Sequence, residues 1–179
     1  MNGSYRVGQR RESFSCGAGP EGWRYTSRTE TGDRLDLTID TQGRVRRLLA
    51  DFDGWEVRGA VLGPEMVWVR GDHEHSAVAT GFTGTSPGFD VAVARMLALE
   101  VGATAQAVLV ELTAPVGAAR TVTHAWARTE APDAGVERYE VADLATAERW
   151  VVYVSGQVVV SREGSRPAVL EALEADTAV

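Results

Sequence analysis

What most constrains the fold of this chain is a recurring two-residue rhythm, broken by turn residues every few positions. In RLDLTID, Leu35, Leu37 and Ile39 alternate with Arg34, Asp36 and Thr38, which gives one apolar and one polar face. GWRYTSRTE, RVRRLLA, WEVRGAV, EMVWVRG, TAQAVLVEL, RTVTHAWARTE, VERYEV, ERWVVYVSG and QVVVSRE read as further strands. Thr41-Gln42-Gly43, Asp53-Gly54 and Leu62-Gly63-Pro64 supply tight turns between them. About a dozen short strands with such turns predict an all-β fold with mostly antiparallel neighbours. Met66 to Val69, Trp150 to Val154 and Val158 to Val160 are apolar on both faces, so both faces are expected to be covered.

The pattern is less regular elsewhere. Residues 1–20 read as a loosely ordered N-terminal segment, closed by Gly17, Gly19 and Pro20. FDVAVARMLALEVG mixes helix formers with an alternation of Val91, Val93 and Arg95, and its place between strands favours strand. SRPAVLEALEADTAV predicts a short C-terminal helix over 165–176, with Ser165 as N-cap, Pro167 in the first turn and Val169, Leu170 and Leu173 as the apolar stripe. Residues 21–179 are expected to form one domain. Arg24-Tyr25 precedes Gly43-Arg44-Val45 much as Arg138-Tyr139 precedes Gly156-Gln157-Val158. That echo divides the domain into two repeats, about 21–80 and 88–163.

The 179 residues are enough for a core without covalent staples. A net charge of −7, with arginine as the sole basic residue besides histidine, repels phosphate backbones, so no nucleic-acid partner is expected. Cys16 is the one cysteine, which fits a reducing compartment. Met1 to Glu12 is polar, and no apolar run approaches a membrane span of ~20 residues. The expectation is a cytoplasmic protein without a transmembrane segment.

No catalytic motif is present, and no catalytic residue or cofactor is assigned. His73 and His75 would share one face of a strand and are candidate metal ligands, but only His124 remains as a third histidine, so no metal site is assigned. Trp55, Trp68, Trp126 and Trp150 fall on predicted strands, and His124 shares a face with Trp126. Those five residues are the candidate ligand wall, with His124 as the polar contact.

TGFTGTSP, in mid-chain, resembles the Thr-Pro-Phe-Thr-Asn-Thr-Leu-Pro signature of a bacterial glycolipid-binding family, a domain of unknown function. Thr80, Phe82, Thr83, Thr85 and Pro87 match it, while Gly81, Gly84 and Ser86 depart from it. Arg95, Leu97, Leu99, Gly102, AVLVELTAP, the His124-Ala125-Trp126 triplet, Arg138-Tyr139 and Ser155 to Val158 follow in the family's order. The resemblance spans roughly 13–163. It implies a spiral β-roll of two similar antiparallel halves, barrel-like, with the Gly/Thr loop as the crossover between them. It also implies a non-enzymatic role holding a glycolipid or other amphipathic small molecule. Two alternatives stand beside it. One is a small enzyme acting on a hydrophobic metabolite with His73, His75 or His124 as base. The other is a homodimer joined along the valine-rich strands near 150–160.

Overall fold

A computed structural model describes residues 1–19 and 22–174. In chain order these form β1 (Asn2–Val7), β2 (Arg10–Gly19), β3 (Gly22–Thr29), β4 (Arg34–Ile39), β5 (Val45–Phe52), β6 (Trp55–Leu62), β7 (Glu65–Arg70), β8 (His73–Ala77) and β9 (Gly81–Thr83). Helix α1 (Pro87–Leu97) follows, and then β10 (Thr104–Thr113), β11 (Ala118–Thr129), β12 (Val136–Asp143), β13 (Arg149–Ser155), β14 (Val158–Gly164) and β15 (Ala168–Glu174). The fold is all-β, with one short helix.

The strands make a single unclosed sheet in the order β8-β7-β6-β5-β4-β3-β2-β1-β15-β14-β13-β12-β11-β10-β9. Within the runs β1 to β8 and β10 to β15, neighbours in sequence pair antiparallel, β8 and β9 end opposite edges of the sheet, and β1 meets β15 antiparallel with Val7 opposite Ala168. One ladder is parallel: β9 beside β10, with Phe82 opposite Val110. A parallel pair needs a crossover, and α1 supplies it.

The sheet curls so that distant strands share one core. Phe82 on β9 meets Trp68 on β7 edge to face, with ring centroids 6.5 Å apart. Arg70 Nε donates to the Val116 carbonyl at 2.8 Å, which ties β7 to the β10–β11 turn. Inside the curve lies α1, whose first eight residues, Pro87 to Ala94, are all buried. Beneath it Tyr5, Phe14, Tyr25 and Trp23 form a run of stacked rings across β1, β2 and β3, at centroid spacings of 4.5, 5.7 and 5.7 Å.

Several expectations change here. The segment read as a strand, FDVAVARML, is α1. A helix buried all round shows no amphipathic stripe, and its Val/Ala alternation mimics a strand. Ser86 caps it through Oγ, and Ala98 ends it in the left-handed region at φ 44°. The C-terminal helix expected over 165–176 is instead β15 as far as Glu174; residues 175–176 lie outside the described residues. Pairing with both β1 and β14 outweighs the helix preference of Ala, Leu and Glu. The N-terminal segment is two ordered strands, β1 and β2. In β2 the buried positions are Glu12, Phe14 and Cys16, a period-two face concealed by polar residues. The valine-rich strands near 150–160 are interior in the sheet order, β13 between β12 and β14, and β14 between β13 and β15, so neither is an edge strand. Their second apolar face is not wholly covered, since Val160 is exposed on the outside.

Candidate functional site

At the N-terminal end of α1 the roll opens into a cleft of about 650 Å³. The mid-chain loop forms part of its floor. Gly84, Thr85 and Ser86 line it, directly before Pro87 starts the helix. Leu35, Phe89 and Leu112 add an apolar surface, and Glu12, Glu111, Arg120, Arg162 and Arg166 add charge.

Two buried polar networks hold this floor. In the first, Glu12 Oε1 accepts from the Tyr25 phenol at 2.7 Å and from the Ser86 hydroxyl. Ser86 Oγ in turn accepts from the Gly88 N–H at 3.4 Å. Burial pushes the Tyr25 phenol well above its ordinary value, and the Glu12 charge adds to this, so the phenol stays protonated and donates. In the second, Arg162, 2% exposed, donates to Asp90 Oδ2 at 2.7 Å, to the Thr85 carbonyl at 2.8 Å and to the Arg166 carbonyl. Burial pushes the Asp90 carboxyl up, while Arg162 pulls it back down. Along the wall, buried Glu111 pairs with Arg120 at 2.7 Å through one oxygen and with Arg166 at 2.8 Å through the other. The guanidinium of Arg166 lies 4.7 Å above the Trp150 ring.

The expected ligand wall lies elsewhere. Trp68, Trp126 and Trp150 are buried as packing elements, and none of them borders the cleft. Trp126 packs on Tyr139 at 5.8 Å, and Trp150 on His124 at 5.1 Å, both edge to face. Trp55 is exposed at the β5–β6 turn under the Arg70 guanidinium, 4.3 Å from the ring centroid. His73 and His75 stand exposed on edge strand β8, and His75 stacks on Trp68. Among the described residues no group of three or more His, Cys, Asp or Glu is placed to hold a metal ion. Of the signature residues, Thr85 borders the cleft and Pro87 opens α1. Thr80 bonds the Val108 carbonyl at 2.9 Å, and Phe82 and Thr83 are buried in β9.

Sequence reasoning missed Glu12, Tyr25, Ser86, Asp90, Glu111, Arg120, Arg162 and Arg166. The available signal was an acid in phase with Phe14 and Cys16, because a carboxylate on the inward face of a strand needs a partner.

His124 is fully buried against Trp150, with Nε2 3.9 Å from Asp143 Oδ2. Neither ring nitrogen has a hydrogen-bond partner among the described residues. Burial holds its pKa below 6.5, and Arg166 adds to this against the opposing charge of Asp143. Burial alone would raise Asp143, but the N–H groups of Ala145 and Thr146 keep it low. The histidine is therefore neutral in the folded chain at a pH where the unfolded chain is already protonated. Its contribution is complete above pH 6.5 and is lost as the pH falls through the folded value. His124→Phe is expected to flatten the loss of stability between about pH 7 and pH 5. Urea titrations of both proteins at the two pH values check this, and an unchanged slope refutes it.

No protein-family model matches the chain. No curated protein matches it either. A solved structure similar to it is the crystal structure of a DUF1089 family protein from Pseudomonas aeruginosa. The match has a TM-score of 0.60 and 18% identity, and covers 92% of this chain and 91% of that one. At that identity the likeness is one of fold, to a domain of unknown function. No helix among the described residues is long and apolar enough to cross a membrane.

Proposed function

We propose that the chain is a binding protein for an amphipathic small molecule, held in the cleft at the N-terminal end of α1. One observation carries this reading: buried polar groups border the same opening as an apolar surface. Glu12 and Arg162 are 3% and 2% exposed, yet both line a cleft of about 650 Å³ beside Leu35, Phe89 and Leu112. Such a combination suits a ligand with an apolar body and a polar head. Burial of the body would contribute about 25 cal/mol per Å², reduced by the cost of ordering the ligand.

Native mass spectrometry of protein purified from its own host is expected to show a small-molecule adduct. Thr85→Trp places a large ring in the cleft from an exposed position and leaves the Thr85 carbonyl free to accept from Arg162. This variant is expected to fold and to lose the adduct. Clean apo protein from the host, or an adduct that survives T85W, overturns the assignment.

A further inference from the structure

The identity of the polar head can be taken one step further, an inference that rests on the cleft reading. Glu12 is 3% exposed and lines the cleft. Both of its hydrogen bonds fall on Oε1, from Tyr25 and Ser86. Oε2 has neither a hydrogen bond nor an ion pair among the described residues, and it is not sealed from solvent. A buried carboxylate ordinarily has a cation beside it. Asp90 has Arg162, and Glu111 has Arg120 and Arg166. Glu12 has only hydroxyls.

The basic residues around the cleft are mostly engaged elsewhere. Arg162 is held by Asp90 and two carbonyls, and Arg166 by Glu111 and Glu148. Arg120 is held by Glu111, and Arg10 reaches Asp33 at 3.7 Å. Arg34 stands exposed at the rim. The vacant acceptor is therefore Glu12 Oε2, already oriented by two donors on its other oxygen.

We propose that Glu12 Oε2 accepts from the ligand, and that the ligand is an amphiphile bearing a primary ammonium group. The ammonium sits against Glu12 while the carbon skeleton lies on Leu35, Phe89 and Leu112. A charge-assisted bond of this kind is about twice as strong as a neutral one, so charge discriminates among ligands of equal length.

Isothermal titration with n-octylamine, n-octanol and octanoate at about pH 7.5 tests this, since the amine is then protonated like a lysine. Octylamine is expected to bind at least about tenfold more tightly than octanol, with octanoate weakest. Glu12→Gln keeps an acceptor for Tyr25 and Ser86, and is expected to erase the amine's advantage while octanol binding persists. Should E12Q fail to fold, the wild-type ranking still decides. Octylamine binding no tighter than octanol overturns the ammonium assignment and leaves the cleft reading standing. The same follows if E12Q retains the preference. If none of the three probes binds, the cleft reading falls, and this inference with it.

Discussion

Arg162→Ala is expected to destabilise the protein by about 3–5 kcal/mol, a large part of the ~5–15 kcal/mol that holds a typical domain together. Arg162 joins two parts of the chain that are far apart in sequence: the start of α1, through Asp90 and the Thr85 carbonyl just before it, and the turn leading to β15, through the Arg166 carbonyl. Removing the guanidinium leaves the Asp90 carboxylate 4% exposed with no cation bonded to it, and strands two carbonyl oxygens. A lost surface ion pair would cost under about 1 kcal/mol, so the size of the effect distinguishes a buried keystone from decoration. Burial already raises the Asp90 pKa, and without Arg162 it rises further. The folded variant then binds a proton that the unfolded chain releases, so the deficit should narrow as the pH falls toward the ordinary carboxylate range. Combining Arg162→Met with Asp90→Asn should recover much of the loss, because neither partner is then left as an isolated charge. Urea unfolding of the wild type, R162M, D90N and the R162M/D90N double variant measures the coupling. A loss below about 1 kcal/mol for R162A would show that the pair does not hold the helix to the sheet.

The strands were legible where inward residues are apolar and outward ones polar. Leu35, Leu37 and Ile39 are all buried on β4, as their spacing indicates, and Gly43 closes the next turn at φ 77°. The class of fold follows from such segments. Two local preferences pointed the wrong way for one reason: what decides them is distant in sequence. The helix-rich tail becomes β15 because β1, at the opposite end of the chain, supplies its ladder. The Val/Ala segment becomes α1 because strands on several sides enclose it, and one sequence window contains none of them. The site was hidden for a related reason. Tryptophans stand out in a sequence, yet at Trp68, Trp126 and Trp150 bulk is used to fill the core. The cleft is built from ordinary residues, Glu12, Ser86, Asp90 and Arg162, whose meaning comes from separations such as the 74 residues between Glu12 and Ser86. The Gly/Thr loop was the one part of the site the sequence drew attention to, and its residues 84–86 do reach the cleft.

Gly88→Ala is expected to destabilise the protein by about 1–3 kcal/mol, although alanine is the better helix former by up to about 1 kcal/mol. A Cβ at position 88 would sit 2.5 Å from Cδ1 and Cε1 of the Tyr25 ring and 2.8 Å from Cγ. The ring has nowhere to go. Phe14 stacks near one side at 5.7 Å and Trp23 packs at the same distance, while Glu12 holds the hydroxyl. Either α1 lifts from β3 or the phenol swings off the carboxylate, and overpacking outweighs the gain in helix propensity in both cases. Tyr25→Leu removes the obstructing ring, so G88A should cost much less in that background than in the wild type, and urea unfolding of the four proteins gives the difference. The substitution also connects packing with binding. Tyr25 fixes the orientation of Glu12, so a displaced ring frees the carboxylate to rotate, and the preference for octylamine over octanol should shrink in G88A with no cleft-lining side chain replaced. A G88A protein as stable as the wild type, with its amine preference intact, would mean that α1 does not press on Tyr25 and that the Glu12 network does not depend on that contact.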